Sequence, residues 1–600
     1  MHRPAAKTIP ALVLEQHGRL RDRVLFGCVP AQGEIRRHTW GEMVERVVAV
    51  AVELQNLGFQ PGDRGAIFAY NSPEWYVVDW AVQMLGGVSV PVYMNNTAEQ
   101  AAYVLDDSGA KLVYVDNEAR RDAVLGHISR LPSLVRVLTP DAIAKGERVE
   151  PLSALESRGR AAGEARAKAV KDAVAGIGPK STATLSYTSG TTGEPKGVIL
   201  SHENILETTR VCIEEMEIEG GPDERSMSYL PLAHIAQRMM DLTSFYHGAQ
   251  MYFPSDIQLV TAAFPRVRPT MLVAVPRVLE KVKATIENKV AQAPAMRRRI
   301  FAWATKIAFE VAEKVQAGKP LGVRLASKQA LADLLVFQKI RGAFGGECRM
   351  LLAGGAPLGA DLGRFFLGVG LPTYEVFGLT ETAAVISFDR PKAIRYGTVG
   401  KPARLGEVKI AEDGEILWRG VNVFGGYWKK EAQTAEAMEG GWFHTGDLGA
   451  FDADGFLKII GRKKELIVTS AGKNVAPIPI EFGITRCTLV DQVMVVGDEK
   501  NYLTALLTLN LDEAKRRFGA DRTLEALAEA ARPALAAHID QVNATLARYE
   551  TVKKFEVLTT PWSTDGGELT PSLKMKRRVI AQKYRDRIEK MYSQPVAESA

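Results

Sequence analysis

An α/β fold is predicted by three features of the sequence. Short apolar strands alternate with helix-patterned segments through the first half of the 600-residue chain. Past Gly406, Asx-Gly pairs join short apolar runs, the signature of hairpins. Beyond Gly461-Arg462-Lys463-Lys464 the pattern becomes a compact α+β unit.

Taken in order, Gly41 to Leu57 has helical spacing, Gly65 to Ala69 reads as a buried strand, Pro73 to Leu85 as a helix and Val88 to Val92 as the next strand. Strands of this kind between helices imply a parallel sheet with helices on its faces. Leu155 to Val174, rich in Ala, Arg, Lys and Glu, reads as a solvated surface helix. Lys281 to Phe344 has almost no β signal and is a helical excursion from the sheet. Within it, Arg297-Arg298-Arg299 precedes Ile300, Phe301, Trp303, Ile307 and Phe309. A basic cluster beside aromatic helix positions fits a membrane surface; an amphipathic helix packed on the body is the preferred reading. Asp413-Gly414 and Asp454-Gly455 each predict a hairpin. Gln492 to Val496 and Ala505 to Leu509 are strands of the second unit. Thr523 to Arg548 is helical, with Pro533 early in a second segment, and Ser593 to Ala600 has the look of a disordered end. A chain this long needs at least two domains. The boundary falls at the basic run, giving 1–461 and 462–600.

Bulk properties narrow the function classes. The net charge of +6, from 76 basic and 70 acidic residues, is too slight for a nucleic-acid binder. Cys28, Cys212, Cys348 and Cys487 are too far apart for a metal knuckle, and a reducing cytoplasm is expected. Met1-His2-Arg3-Pro4 does not open a signal peptide. The apolar stretch from Val77 to Met94 contains Asp79 and two glycines, so it reads as buried helix and strand rather than a membrane span.

The sharpest motif runs from Tyr187 through Thr188-Ser189-Gly190-Thr191-Thr192-Gly193 to Lys196-Gly197. An apolar strand, Ala183 to Tyr187, leads into it. Its glycines let the backbone present N–H groups to an anion. The four hydroxyls add donors and Lys196 a compact positive charge, which suits a polyphosphate. The Walker A spacing is missing, and a flexible linker would rarely lie between two apolar strands. Downstream, Tyr374-Glu375-Val376-Phe377-Gly378-Leu379-Thr380-Glu381 supplies an aromatic able to stack on a purine, a hydroxyl for a phosphate and a hard oxygen ligand for Mg2+. Alone, Glu381 would more often be a paired surface carboxylate. Gly354-Gly355-Ala356 permits close approach of a flat base, although a plain turn fits equally well. Asp447 and Arg462 would separately pass for a turn cap and part of a solvated basic face, and Lys574 for part of a basic tail helix.

The order of these motifs resembles the adenylate-forming superfamily of acyl-CoA synthetases, luciferases and peptide-synthetase adenylation domains, over about the whole chain from Gly41 to Arg577. The resemblance implies stacked αβαβα sheets plus a distorted barrel in a large N-terminal domain, and a small mobile α+β C-terminal domain. It assigns Thr188, Ser189, Gly190, Thr191, Thr192, Gly193 and Lys196 to the ATP phosphates. Gly354, Gly355, Ala356, Glu375, Val376, Phe377 and Gly378 go to the adenine end, with Thr380. Asp447 is assigned to both ribose hydroxyls, and Ile459 and Arg462 also line the nucleotide. Glu381, with Thr188, is assigned to Mg2+. Lys574 would neutralise charge between the acid and the α-phosphate, and Lys464 would be the hinge. Family tyrosine is commoner where Phe377 stands; stacking survives the change, and any role of a phenol hydroxyl is lost.

Gly440 to Pro477 resembles the fatty-acid–CoA ligase signature, and Tyr229 to Ile235 and Val275 to Lys281 resemble its long-chain, bacterial group. Ala471, Gly472 and Lys473 then line the CoA passage, which Ala471 narrows relative to the commoner glycine. His234 lies near the acyl site in relatives, as a catalytic group or a hydrogen-bonded core histidine. Arg238 stands where some relatives carry an aromatic gate; gating an acyl tunnel and bridging to ATP both stay open. The expected reaction uses a long-chain fatty acid, ATP and coenzyme A, with no nucleic acid. Transfer to a carrier protein, a luciferase-like oxygenation and a catalytically dead nucleotide binder are the rivals. Acyl-chain preference, a homodimer and peripheral contact with the inner membrane face are left open.

Overall fold

The computed structural model describes residues 3–188, 194–570 and 574–593. Its largest sheet has seven strands, in the order Val149–Pro151, Arg136–Thr139, Leu112–Val115, Arg64–Phe68, Val88–Pro91, Thr182–Thr188 and Lys196–Ser201. All neighbours are parallel except the last pair, an antiparallel hairpin. A five-stranded sheet follows the order Met271–Ala274, Met350–Gly354, Thr373–Phe377, Ser387–Phe388 and Lys401–Pro402, with its first three strands parallel. A smaller mixed sheet contains Val24–Val29 between Gln250–Pro254 and Arg36–Thr39.

Two helices are buried on nearly every side. Pro73–Met84 lies against strands of the seven-stranded sheet, and Ile235–His247 against the mixed sheet. A helix apolar all round belongs between layers. Each also carries polar groups that are neutralised within the layer. The Tyr76 hydroxyl donates to Asp241 at 2.7 Å, and Gln237 donates to the same carboxylate at 2.5 Å. Gln83 and Arg238 donate to Asp79, both at 2.8 Å. Phe26, Tyr76, Trp80 and Phe245 form the aromatic centre of this core.

Asp413-Gly414 joins Gly406–Ile410 to Glu415–Gly420, and Asp454-Gly455 joins Phe443–Phe451 to Leu457–Arg462, as the turn chemistry predicts. These four strands form the antiparallel half-barrel. The C-terminal unit has a sheet of Val490–Val496, Leu503–Leu509 and Val552–Leu558 with its own apolar core. The four cysteines are free thiols. Among the described residues no helix is long and apolar enough to cross a membrane.

Two expectations need correction. The 155–174 segment is two helices, Leu152–Ala161 and Glu164–Ala173, broken at Gly163 with φ 87°. It is not simply solvated: Leu155, Gly159 and Val170 are buried, because the first helix lies directly on Trp40–Asn56. Leu524–Asn543 runs unbroken through Pro533. The proline removes one intrahelical hydrogen bond, while buried Leu527, Ala531, Leu535 and Ile539 hold the helix on the sheet from both sides of it. In the helical excursion, Ile307 is buried and Phe301, Trp303 and Phe309 pack against the main core, so these aromatics face inward as the packed amphipathic helix predicts. The predicted disordered end falls almost entirely outside the described residues.

Gly159 marks the tightest helix contact: a Cβ there would stand 1.8 Å from the Ala49 carbonyl oxygen. Gly18, in Ile9–Leu20, has open space around it. Gly159→Ala is expected to destabilise the large domain by roughly 1–3 kcal/mol through overpacking against backbone. Gly18→Ala should be neutral or stabilising by about 0.5 kcal/mol. Urea denaturation of both variants checks this; equal midpoints would contradict the contact.

Candidate active site

The site forms where the carboxyl ends of parallel strands meet the half-barrel and the C-terminal unit, the usual position for a ligand in an open α/β sheet. Gly354 pairs with Val376 at the ends of adjacent strands, so Gly354-Gly355-Ala356 and Phe377-Gly378 emerge side by side. A Cβ at Gly354 would lie 3.0 Å from the Val376 carbonyl oxygen, and Gly355 has φ 81°. Beside this turn, Phe377 and Ile459 pack on one small apolar cluster of Val399, Ile416 and Leu457. Glu375 belongs to the strand Thr373–Phe377. Its carboxyl is buried, accepts the Leu358 N–H at 3.1 Å and so ties down the 354–358 turn. Burial raises its pKa to about 8, with Asp389 adding to the rise.

Thr380–Thr382 is a short helical turn that ends in two alanines with positive φ, Ala383 at 45° and Ala384 at 72°. Non-glycine residues hold such angles only where surroundings enforce them. Here the Asn422 amide donates to the Thr382 and Val385 carbonyls at 2.7 and 2.6 Å. A Cβ on Gly378 would meet the Ala384 backbone at 2.3 Å, so only glycine fits beneath the turn. The strained turn sets the direction of Glu381.

The Thr182–Thr188 and Lys196–Ser201 hairpin brings Thr188 opposite Lys196. Ser189, Gly190, Thr191, Thr192 and Gly193 lie outside the described residues. The segment around Gly425-Gly426-Tyr427-Trp428 lies along the second strand, bonded from Gly425 to Ile199 and from Trp428 to Gly197. It delivers Tyr427 to the site. The Tyr427 hydroxyl donates to Glu381 Oε1 at 2.9 Å, and the Lys196 Nζ stands 4.7 Å from the centre of its ring. One aromatic thus positions both the acid and the ammonium. Burial is the first cause lowering the Lys196 pKa, followed by Lys464, with Glu381 opposing. Sequence reasoning missed Tyr427 and Asn422. The Gly-Gly-Tyr-Trp run was a visible signal of close backbone approach; Asn422 gave none.

Asp447 and Arg462 face each other across one antiparallel rung, with Arg462 Nε donating to Asp447 Oδ1 at 2.7 Å. Asp447 is buried, and burial raises its pKa against Arg462 and Lys574. Lys574 comes from the C-terminal unit, where Leu569 bridges to Met575 and the Thr570 N–H donates to the Lys574 carbonyl at 2.8 Å. Its side chain keeps accessible surface, but the cleft around it is dense. That crowding first, and Arg462 second, lower the Lys574 pKa, while Asp447, Glu381 and Glu465 oppose. His234 caps Ile235–His247, its Nδ1 accepting the Ala236 N–H at 3.2 Å. Burial, then Lys574, lower its pKa to about 4, so it is neutral near pH 7.

Thr188, Lys196, Glu381, Asp447, Arg462, His234 and Lys574 therefore border one cleft, with Thr380 on the Glu381 turn. Ala471, Gly472 and Lys473 do not join them. They form an exposed turn of the C-terminal unit, with Gly472 at φ 71° and its N–H bonded to Thr469. Arg238 is held inside the helix layer, bonded to Asp79 and, at 2.7 Å, to Thr184, with its guanidinium 5.3 Å from the Trp75 ring. Arg277 with Asp491, and Arg486 with Asp361, are exposed ion pairs that bridge the two units in this pose. Lys464 sits between two anchors. Lys463 bonds Asp413 and Glu415 of the half-barrel, and Glu465 accepts from Arg577 of the C-terminal unit.

Among the described residues no group of three His, Cys, Asp or Glu side chains could hold a metal ion. Magnesium is commonly held by one or two carboxylates together with substrate phosphates. Glu381 fits that role as a single acidic ligand beside a polyphosphate.

Comparison with known proteins agrees with this geometry. Residues 15–428 match the model described as AMP-binding enzyme, and residues 464–595 match the AMP-binding enzyme C-terminal domain. The chain is 39% identical over 562 residues to the long-chain-fatty-acid–CoA ligase FadD15 of Mycobacterium tuberculosis, covering 92% of each chain. It is 32% identical to the long-chain-fatty-acid–CoA ligase ACSBG1 of Bos taurus, over 98% of this chain and 86% of that one. Its fold is similar to the adenylation domain of a carboxylate reductase from Mycobacterium chelonae, with TM-score 0.73 at 22% identity, covering 99% and 92% of the two chains. It is also similar to an o-succinylbenzoate coenzyme A synthetase from Bacillus subtilis in complex with AMP, with TM-score 0.65 at 21% identity, covering 94% and 97%. The chain belongs to the AMP-binding enzyme family, with that family's main domain followed by its C-terminal domain.

Proposed function

We propose that this protein is a long-chain fatty-acid–CoA ligase that activates its acid as an acyl-adenylate. One observation carries the reading: Lys574 of the C-terminal unit stands among Asp447, Arg462 and Glu381 of the main domain, in a chain that resembles named long-chain ligases along nearly its full length.

A carboxylate is a poor acyl donor because its leaving group would be oxide. In the first half-reaction a carboxylate oxygen attacks the α-phosphorus of ATP, and the bond to the β-phosphate oxygen breaks, releasing pyrophosphate. Positioning and charge neutralisation do most of this work. Lys196 and the hydroxyls from Thr188 to Thr192 would hold the β- and γ-phosphates. Lys574 would bridge the attacking acid and the α-phosphate. Asp447 would accept the two ribose hydroxyls, with Arg462 keeping it ionised and in place. Magnesium bound with the nucleotide would supply charge neutralisation, with Glu381 and Thr188 as its protein ligands. In the second half-reaction the CoA sulfur attacks the acyl carbon, the bond to the AMP oxygen breaks, and the thiol proton leaves to solvent.

The observed pose brings Lys574 to the cleft and leaves Gly472 outside it, which suits the first half-reaction. Thioester formation would need the C-terminal unit to turn about Lys464, the residue between the two anchored neighbours. The 471–473 turn would then replace Lys574. Pyrophosphate release that needs a fatty acid, and that passes to acyl-CoA when CoA is added, tests the overall reading. Release without transfer to CoA would favour a carrier-protein acceptor, and no release at all would favour a dead homologue.

Lys574→Ala is expected to lower adenylation by at least about a hundredfold, as loss of one preorganised charge does, while leaving thioester formation from supplied acyl-adenylate. Equal loss of both steps would refute the division of labour. Lys464→Pro should slow overall turnover while sparing adenylation in a single turnover, because a fixed φ resists rotation; unimpaired turnover would count against the hinge. The adenylation rate should fall at alkaline pH below the ordinary lysine value of about 10.4, since the Lys574 ammonium is lost early. Lys574→Arg should remove the Lys574 part of that limb and leave the part due to Lys196, whose pKa is also lowered. A neutral His234 gives no limb between about pH 6 and 7; a limb there that His234→Gln removes would overturn the assignment.

A further inference from the structure

Residues 295–344 contain ten Lys and Arg against three Asp and Glu, a net charge of +7, so the remaining 550 residues sum to −1. The protein's small positive charge is therefore one concentrated feature. Among the described residues, Arg341, which faces Asp333 at 2.5 Å, is the only one of those ten in an ion pair. Arg297, Arg298, Arg299, Lys314, Lys319 and Arg324 are exposed.

The same stretch exposes apolar side chains. It comprises the helix Ala295–Gln316, then Gly322–Ala332 continued by a π turn, Asp333–Phe337, and a short helix to Gly342. Ala332, Phe337 and Ile340 point into the core. Outward, where a surface helix ordinarily carries polar groups, stand Val323 at 87% exposure, Leu334 at 64% and Leu331 at 49%. Leu335, Ala326 and Ala330 are exposed beside them. Isolated surface leucines need no explanation, but a contiguous apolar face does.

We propose that the outward face of residues 322–335 docks the protein on an anionic phospholipid bilayer. An apolar helix face flanked by Lys and Arg lies in the plane of a membrane interface, with leucines in the acyl boundary and cations on lipid phosphates. Arg324 and Lys328 on the helix, with Lys314 and Lys319 just before it, have the length to reach headgroups while their stems extend the apolar surface. A second copy fits less well, because it sets one basic stretch against another. A nucleic acid would leave the leucines unused. The aromatic side of Ala295–Gln316 has no part in this, being turned to the core.

Cosedimentation of the full chain with vesicles tests the proposal independently of catalysis. Binding is expected to vesicles of equal phosphatidylglycerol and phosphatidylcholine, weak or none to phosphatidylcholine alone, and loss in about 0.5 M salt. Leu331→Glu with Leu334→Glu should reduce binding at least about tenfold. Arg324→Glu with Lys328→Glu should also weaken it, and both doubles should keep wild-type acyl-CoA formation in detergent-free solution. Absence of binding to the mixed vesicles, or binding that neither double changes, would overturn the proposal. So would a wild-type dimer in analytical ultracentrifugation that the leucine double converts to a monomer, which would assign the face to a second copy.

Discussion

A carboxylate and a guanidinium placed across one antiparallel rung, with an ammonium brought in from another domain, form the constraint on which the rest of the site depends. Asp447 and Arg462 are fixed by strand register, so their pairing needs no flexible loop. Burial alone would push Asp447 towards its neutral form. Arg462, bonded to it directly, opposes most, and Lys574 of the C-terminal unit adds to that opposition. Removing one partner of a buried pair commonly costs several kcal/mol because the other is left uncompensated. The catalytic pose and the electrostatic state of the cleft are therefore coupled.

The remaining architecture supports that arrangement. Tyr427 links Glu381 to Lys196, and the strained turn that aims Glu381 is held by Asn422 and by the missing side chain of Gly378. Glu375 secures the turn beside Phe377. Arg238, bonded to Asp79 and Thr184, neutralises the buried layer between the sheets, so its charge is committed to the fold in this pose.

Much of this was legible in sequence because it is local. Alternating strands and helices, the Asp-Gly hairpins and the Ser/Thr/Gly loop each depend on neighbouring residues. What escaped was long-range. Tyr427 is 46 residues from Glu381 and Asn422 is 40 from Thr382, so no periodicity connects them. The 152–173 region reads as solvated because its burial depends on one glycine pressed against a distant helix. The basic aromatic run at 297–309 shows position without direction; only packing reveals that its rings face inward and that the apolar face belongs to the following helix. The family resemblance named the main ligands by their order, a signal stronger than any single motif.

In the proposed reaction the acid attacks the α-phosphorus and its oxygen leaves with AMP. A fatty acid labelled with 18O in both carboxylate oxygens, turned over with ATP and CoA, tests this directly by mass spectrometry of the products. One labelled oxygen in AMP, with none in pyrophosphate or phosphate, is the predicted result. Label in phosphate or pyrophosphate with unlabelled AMP would contradict it.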